Sequence, residues 1–166
     1  MERKLRESEE RYALAVQAAN DGIWDWNLKT DEIYFSHRWK DILGYKHEEI
    51  GNDPNEWISR LHPDDKDRFQ AELTLHIKGL TPIFECEYQI RHANGKYLWA
   101  LSRGLAVRDV DGIAYRMAGS HSDISARKLA EERLAHDALH DALTGLPNRV
   151  LFMDRLENRF ERTKRN

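Results

Sequence analysis

The chain has 166 residues, a length that fits one domain with additional segments, and a net charge of −3 from 29 acidic and 26 basic residues. Because both signs are interspersed, this charge disfavours nucleic acid and anionic membranes as partners. No run approaches the ~18 consecutive apolar residues of a membrane span, and the amino terminus lacks the apolar core of a signal peptide, so we expect a cytoplasmic protein. The single cysteine, Cys86, excludes an internal disulfide and a multi-thiolate metal site within one chain, and we predict no metal site.

The amino-terminal part of the chain changes its hydrophobic period once. Apolar and small residues recur at spacings of three and four in residues 1–20, which predicts an amphipathic helix. Packing on its own domain and pairing in a coiled coil both fit this pattern. From Ile23 the period becomes two, and a polar turn at residues 29–32 separates two strand-like runs, so a β-hairpin is predicted. Ser36 is placed to cap a short helix that ends at Gly44.

The central part predicts one long helix and three strands. The helix begins at Pro63, has acidic residues in its first turn, and runs to Gly79. Residues 83–121 then contain three strand-like runs, joined by the tight-turn pairs Asn-Gly at 94–95 and Asp-Gly at 111–112. Together with the earlier hairpin, these runs predict an α+β fold in which a five-stranded antiparallel sheet carries short helices on one face.

The carboxyl-terminal part is again helical. Ala126, Ala130, Leu134 and Ala138 recur every four residues and form a narrow, alanine-rich stripe. Such a stripe lets two helices approach closely but buries little area, so a contact through it is expected to be weak. After a break at residues 145–147, a further amphipathic helix is predicted.

Five short segments, in this order, resemble a PAS domain with its carboxyl-terminal PAC half. They are Asp-Gly-Ile-Trp-Asp-Trp-Asn at 21–27, Leu-Gly-Tyr at 43–45, Leu-His-Pro-Asp-Asp at 61–65, Phe-Glu-Cys-Glu-Tyr-Gln-Ile-Arg at 84–91 and Asp-Ile-Ser-Ala-Arg-Lys at 123–128. The resemblance implies a PAS fold flanked by amino- and carboxyl-terminal helices. It divides the chain into an amino-terminal helix (1–20), a sensor domain (21–125) and a helical signalling linker (126–140).

Residues 140–149, His-Asp-Ala-Leu-Thr-Gly-Leu-Pro-Asn-Arg, resemble the start of a GGDEF domain, the diguanylate cyclase module. This segment accounts for residues 141–166. The Gly-Gly-Asp/Glu-Glu-Phe turn of that family and its downstream magnesium-binding carboxylates are absent from the chain. The resemblance therefore implies the truncated start of a cyclase and no catalysis by this chain, with GTP and magnesium bound only by an intact parent protein.

Four residues of this segment match functional positions of the GGDEF family. Asn148 and Glu157 match the positions that hydrogen-bond the guanine of GTP. The alternative for Asn148 is a helix N-cap, and for Glu157 a solvated carboxylate. Asp141 and Arg149 are implied by the resemblance to form a structural ion pair.

The PAS resemblance also implies a cavity between the helices and the sheet. From the pattern, its lining is predicted to come from Trp24, Trp26, Trp39, Phe69, Leu73, Tyr88 and Trp99. The alternative is a filled core without a ligand, so an unknown small molecule in the cavity is left open.

Flavin and haem each require a particular residue to hold them, and the sequence shows whether such a residue is present. A flavin–cysteinyl adduct requires a reactive thiol on a short helix, whereas Cys86 lies in a predicted strand, so this class is rejected. Haem would require an axial ligand such as His76, near the end of the long helix that follows His62. A partly exposed structural histidine is the commoner role, and we expect it for His76.

Asp123, Ile124 and Ser125 match the exit motif that, in PAS proteins, connects the last strand to the signalling helix. The sequence therefore predicts a sensory module that forms a homodimer through its flanking helices and its PAS domain and regulates a carboxyl-terminal diguanylate cyclase. Two alternatives remain open: a ligand-free PAS interaction module, and the amino-terminal part of an active cyclase.

Overall fold

The computed structural model describes residues 1–140 and 143–164. Its helices are α1 (Glu2–Ala19), α2 (His37–Ile42), α3 (Asn55–Ile58), α4 (Pro63–Ile77), α5 (Ser125–Leu139) and α6 (Arg149–Lys164), and a 3-10 turn spans His47–Glu49. Its strands are β1 (Gly22–Asn27), β2 (Glu32–Phe35), β3 (Phe84–Arg91), β4 (Tyr97–Arg108) and β5 (Ala114–Asp123). The chain divides into two compact units, Met1–Ile124 and Ser125–Asn166.

The first unit contains a five-stranded antiparallel sheet in the order β2-β1-β5-β4-β3. The predicted α+β fold class is confirmed, as are the three adjacent strands within residues 83–121. Gly95, in the β3–β4 turn, has a φ of 84° and Gly112, in the β4–β5 turn, a φ of 79°, a region that glycine enters without steric cost. The two tight-turn pairs therefore end the strands where the sequence predicts.

Local chemistry fixes the helix starts. Ser36 Oγ accepts hydrogen bonds from the backbone N–H groups of Trp39, at 3.2 Å, and Ile23, at 2.9 Å, so it caps α2 and ties that helix to β1. Pro63 opens α4 at a position where a missing N–H costs nothing, and the preceding His62 accepts the N–H of Asp64 through Nδ1. The stretch after Ile124 is helical, as predicted.

The hydrophobic core lies between the inner face of the sheet and helices α2, α3 and α4. Its side chains alternate along each strand, as the burial of Phe84, Cys86, Tyr88 and Ile90 along β3 shows. Helix α1 buries no residue and makes exposed i,i+4 ion pairs between Arg3 and Glu7 and between Arg6 and Glu10. None of the helices within residues 1–140 and 143–164 is long and apolar enough to cross a membrane.

Candidate functional site: a buried aromatic and polar cluster

Six of the seven side chains predicted to line a cavity come together in the core. They are Trp24, Trp26, Trp39, Phe69, Leu73 and Tyr88, none more than 8% exposed. They belong to one hydrophobic core cluster, in which the ring centroids of Phe69 and Tyr88 lie 5.1 Å apart. Trp24, Trp26 and Tyr88 are buried because apolar residues of one parity share one face of a strand. That these side chains line a ligand cavity stays a prediction.

Trp99 is the exception, and its predicted place in the cavity is wrong. In the register of β3 and β4, Trp99 pairs with Gln89, whereas the inward-facing Tyr88 pairs with Ala100. Trp99 thus lies on the outer face of the sheet, where it is half-buried. The inner face of β4 instead carries small residues, including Ala100, Ser102 and Gly104, because large rings from other elements cover it.

The indole of Trp24 covers two facing glycines of the sheet. Gly104 of β4 pairs with Gly119 of β5, and a Cβ atom built at either glycine would lie within 2.6 Å of the Trp24 ring. The indole Nε1 donates a 3.1 Å hydrogen bond to the carbonyl oxygen of Ser120. Trp24 therefore occupies space against the sheet that side chains at these two positions would otherwise fill.

Trp57, which the sequence analysis did not select, lies at the centre of the aromatic cluster. Its ring centroid is 5.0 Å from that of Trp24, 5.3 Å from that of Phe69 and 6.3 Å from those of Trp39 and Tyr88. It lies on α3, a helix of four residues, which is too short to show a hydrophobic period. The only feature of the sequence that indicates burial of Trp57 is that it is an aromatic residue between two turn signals.

A hydrogen-bond network runs through this cluster and centres on the Tyr88 hydroxyl. Trp57 Nε1 donates to it at 3.0 Å, Ser102 Oγ lies 2.7 Å away and His121 Nδ1 lies 2.9 Å away. Ser102 Oγ and His121 Nδ1 are also 3.2 Å apart. All of these side chains are buried, so each bond replaces one that water can no longer provide.

Burial sets the protonation of the network. It raises the pKa of the Tyr88 phenol above its usual value, against the smaller opposing effects of the hydrogen bonds with Ser102 and Trp57. It lowers the pKa of His121 to about 3, while the charge of Asp123 acts weakly in the opposite direction. Both rings are therefore neutral near pH 7, and the network acts through hydrogen bonds rather than charge.

Two polar atoms in the cluster lack a hydrogen-bond partner in the described part of the chain: Trp39 Nε1 and His121 Nε2. The two rings are fully buried and their centroids lie 5.4 Å apart. An unsatisfied buried polar group costs about 1–3 kcal/mol, so a polar atom that bonded either nitrogen would stabilise the protein.

The residues considered for two cofactors have structural roles. Cys86 lies on β3 with 3% exposure, and burial raises the pKa of its thiol to about 11, which disfavours the reactive thiolate. His76 Nδ1 bonds the carbonyl oxygen of Thr81 at 3.0 Å, and its Nε2 accepts the N–H of Ala106 at 3.0 Å. Both ring nitrogens of His76 are thus occupied within the protein. The expected partial exposure of His76 is wrong, since this ring joins α4 to β4 at 3% exposure.

The exit motif continues directly from the strand that holds His121. Asp123 is the last residue of β5 and pairs with Ala100. Ile124 follows, 8% exposed, and its N–H donates a 2.9 Å hydrogen bond to the carbonyl oxygen of Trp99. Ser125 is the first residue of α5. Only one residue separates His121 from Asp123, so a movement of β5 reaches the motif through the backbone itself.

In the carboxyl-terminal unit, Asn148 occupies the N-cap position of α6. Its Oδ1 accepts the backbone N–H groups of Val150, at 3.1 Å, and Leu151, at 3.2 Å, and its Nδ2 donates to the carbonyl oxygen of Ala138. Arg149 and Glu157 are exposed on α6. The predicted ion pair between Asp141 and Arg149 cannot be placed, because Asp141 lies outside the described residues.

Sequence reasoning also missed Ser102 and His121. Polar side chains at core positions run against the apolar alternation on which the selection relied. The signal was nevertheless present, since His121 shares its parity along β5 with the buried Met117. Alternation alone places His121 inside the core.

The amino-acid sequence is similar to a known protein family and to several curated proteins. A family model described as the PAS fold matches residues 32–121. Among curated relatives, an uncharacterized protein of Sinorhizobium fredii is 29% identical over 92% of this chain, and the sensor protein FixL of Bradyrhizobium diazoefficiens is 24% identical over 87% of it. This chain spans 19% of the first protein's length and 29% of the second's.

Solved structures give the same result. The chain is 38% identical to a sensory box histidine kinase/response regulator from Burkholderia thailandensis, with a TM-score of 0.67 over 75% of this chain and 92% of that one. The N-terminal domain of a diguanylate cyclase with PAS/PAC sensor from Marinobacter aquaeolei is 24% identical, with a TM-score of 0.58 over 65% of this chain and 98% of that one. At this lower identity, the second likeness shows the fold alone.

Proposed function

Because the chain belongs to the PAS fold family, we propose that it is a sensory and dimerisation module that sets the activity of a diguanylate cyclase following it in the whole protein. The observation that carries this proposal is the course of β5, which holds His121 in the buried cluster and ends at Asp123, directly before α5. A change in the cluster thereby has a covalent route to the linker.

The identity of the output domain rests on residues 140–149 and their resemblance to the start of a GGDEF domain. The match of this chain's fold to the sensor of the Marinobacter cyclase is compatible with that output. Asn148 and Glu157 are the residues we assign to guanine in the intact cyclase. In the described structure the Asn148 Oδ1 caps α6 and its Nδ2 donates to the carbonyl oxygen of Ala138 in α5. Guanine binding there requires these hydrogen bonds to rearrange or to be shared.

Control through a dimer fits the chemistry of the product. Cyclic di-GMP is made from two GTP molecules, and the resemblance implies that two cyclase domains must face each other. Helix α1 exposes Leu5, Tyr12 and Leu14, and the outer face of the sheet exposes Leu105. An 18-residue helix without buried residues gains stability from a partner, and a second copy of the chain supplies one.

The alanine-rich stripe of α5 suits a dimer contact that can be shifted. Helix α5 buries no residue, and Leu134 on the stripe is 70% exposed. A contact that buries little area is repositioned at a cost of a few kcal/mol, which is the size of a typical coupling free energy between two sites. A signal that alters the buried cluster by this amount is then sufficient to change the geometry of the two linkers.

We further propose that the signal is a small polar molecule that accepts a hydrogen bond from Trp39 Nε1 or bonds His121 Nε2. Direct contact among the core rings favours the second candidate, a PAS interaction module without a ligand. The absorbance spectrum of the purified protein, with mass spectrometry of released small molecules, separates the two: a molecule released in equal amount to the protein supports a ligand, and none supports the interaction module.

The proposed output is tested by expressing the whole gene and measuring magnesium-dependent conversion of GTP to cyclic di-GMP. We expect the whole protein to form cyclic di-GMP and this chain alone to form none, because the magnesium-binding carboxylates of the cyclase lie outside it. A whole protein that forms no cyclic di-GMP, or that ends in a kinase domain, would contradict the cyclase and leave the PAS assignment intact.

A further inference from the structure

Three basic side chains meet where α2 lies beside the 3-10 turn that follows it. Lys40 and His37 lie on α2, and His47 begins the 3-10 turn that follows. The rings of His37 and His47 are stacked, with centroids 4.1 Å apart and an interplanar angle of 9°. Lys40 is 6% exposed, which is rare for a lysine and requires an explanation.

The ammonium group of Lys40 has neutral partners. Its Nζ donates to the carbonyl oxygen of His47 at 3.0 Å and lies 3.1 Å from His47 Nδ1. Since an ammonium only donates, Nδ1 is the acceptor in this contact. Among the residues that the structure describes, Lys40 forms no ion pair and has no acceptor for its third N–H.

A pocket of about 340 Å³ is lined in part by Lys40. Its walls include the buried side chains of Ile33, Phe35 and Ile50, together with His47 and the exposed Asn52. None of the residues that line the pocket, all of them within the described part of the chain, is an aspartate or glutamate. In a chain with a net charge of −3, the pocket therefore has one buried positive charge and no negative charge.

Burial without a counter-ion makes this lysine costly. A buried charge is normally paired, and an isolated one loses much of its solvation energy. An anion in the pocket would give Lys40 a charge-assisted hydrogen bond through its free N–H, which is about twice as strong as a neutral one. The apolar walls would at the same time cover a hydrocarbon or aromatic body, as is usual in small-molecule sites.

We propose that this pocket binds a small organic monocarboxylate with an apolar body, its carboxylate on Lys40 Nζ and its body against Ile33, Phe35 and Ile50. A single cation matches a singly charged carboxylate. A phosphate dianion would need further cationic donors, such as arginine, that the pocket lining does not contain. The site adjoins the buried cluster, since the ring centroid of Phe35 in its wall lies 4.0 Å from that of Trp39. Its existence does not depend on the identity of the output domain.

Sodium benzoate is the probe for this site, and benzamide is its neutral isostere. Titration of the isotope-labelled chain with benzoate is expected to shift the backbone amide resonances of Gly51 and Asn52 and the ring resonances of His47 in a saturable way. Benzamide is expected to bind at least about tenfold more weakly, because it lacks the charge that Lys40 recognises. Equal binding of the two compounds, stronger binding of inorganic phosphate, or no saturable shift would overturn the proposal.

Lys40→Met provides the matched variant, since methionine keeps the apolar stem and removes the charge. Benzoate affinity is expected to fall by about tenfold or more in Lys40→Met. It is expected to stay unchanged in Lys46→Met, which removes an exposed charge between α2 and the 3-10 turn. Unchanged affinity in Lys40→Met would contradict the assignment of the lysine. The comparison of benzoate with benzamide in the unaltered chain remains decisive if Lys40→Met does not fold.

Discussion

Gly119→Ala is expected to destabilise the sensor domain by about 3 kcal/mol or more, the upper range for an overfilled core. A Cβ at this position would overlap the carbonyl oxygen of Arg103 and would lie 2.6 Å from Trp24 Cζ2 and 2.7 Å from the Cα of Gly104. Two of these three atoms are backbone atoms of the neighbouring strand. The clash can therefore be relieved only by moving β4 away from β5, which breaks hydrogen bonds at the centre of the sheet.

Gly51→Ala is the control for this experiment. The nearest atom to a Cβ at Gly51 is Glu56 Oε1 at 3.6 Å, an ordinary contact, and the residue is exposed. Its free energy of unfolding is expected to stay within about 0.5 kcal/mol of that of the original chain. Urea denaturation measures both variants. A loss below about 1 kcal/mol in Gly119→Ala would contradict the close approach of β4, β5 and Trp24 at this glycine.

The second large effect is a dependence of stability on pH through His121. The folded protein holds the pKa of this ring at about 3, whereas an unfolded histidine titrates near 6.5. Below pH ~6.5 the unfolded chain therefore binds a proton that the folded chain refuses, and stability falls as the pH falls toward 3. The expected slope is about 1.4 kcal/mol per pH unit from this one group.

His121→Asn isolates that contribution, because its amide retains hydrogen-bonding capacity near the Nδ1 position but does not titrate. Between pH ~6 and ~4, the slope of the unfolding free energy against pH is expected to be smaller in His121→Asn by about 1.4 kcal/mol per pH unit, which corresponds to one bound proton. His136→Gln, a change at an exposed histidine of α5, is expected to keep the original slope. Equal slopes in His121→Asn and in the original chain would contradict a neutral, buried His121.

Most of the sheet could be predicted because its signals are local. The Asn-Gly and Asp-Gly pairs set the turns, and alternation in Phe84–Arg91 sets the face of β3. Trp99 shows where this reasoning fails. Both parities of β4 carry apolar residues, so alternation alone does not decide which face is inside. Contacts with other strands determine which face of β4 is buried, because the large side chains of Trp24 and Tyr88 pack over the small inner residues of β4.

The polar half of the site could not be selected from composition. The sequence pattern favours Tyr88 for its apolar ring, whereas its hydroxyl is the centre of a network that joins residues 31 positions before it and 33 after it in the chain. Hydrogen bonds between distant segments depend on register, which a single sequence shows only indirectly. The burial of Lys40 could not be predicted either, because the six residues of α2 are too few for a hydrophobic period to define a buried face.

We propose that the buried cluster acts on a cyclase through Asp123. A double-mutant cycle in the whole protein tests this coupling and does not require the signal to be known. Tyr88→Phe removes the central hydroxyl and is expected to change the rate of cyclic di-GMP formation about fivefold or more, a typical coupling between sites. Circular dichroism verifies that each variant remains folded at the assay temperature. In an Asp123→Ala background, Tyr88→Phe is expected to leave the rate of cyclic di-GMP formation unchanged. Asp111→Ala, in the exposed β4–β5 turn, is the control background, in which Tyr88→Phe is expected to retain its full effect. The same change in rate in both backgrounds would contradict the account.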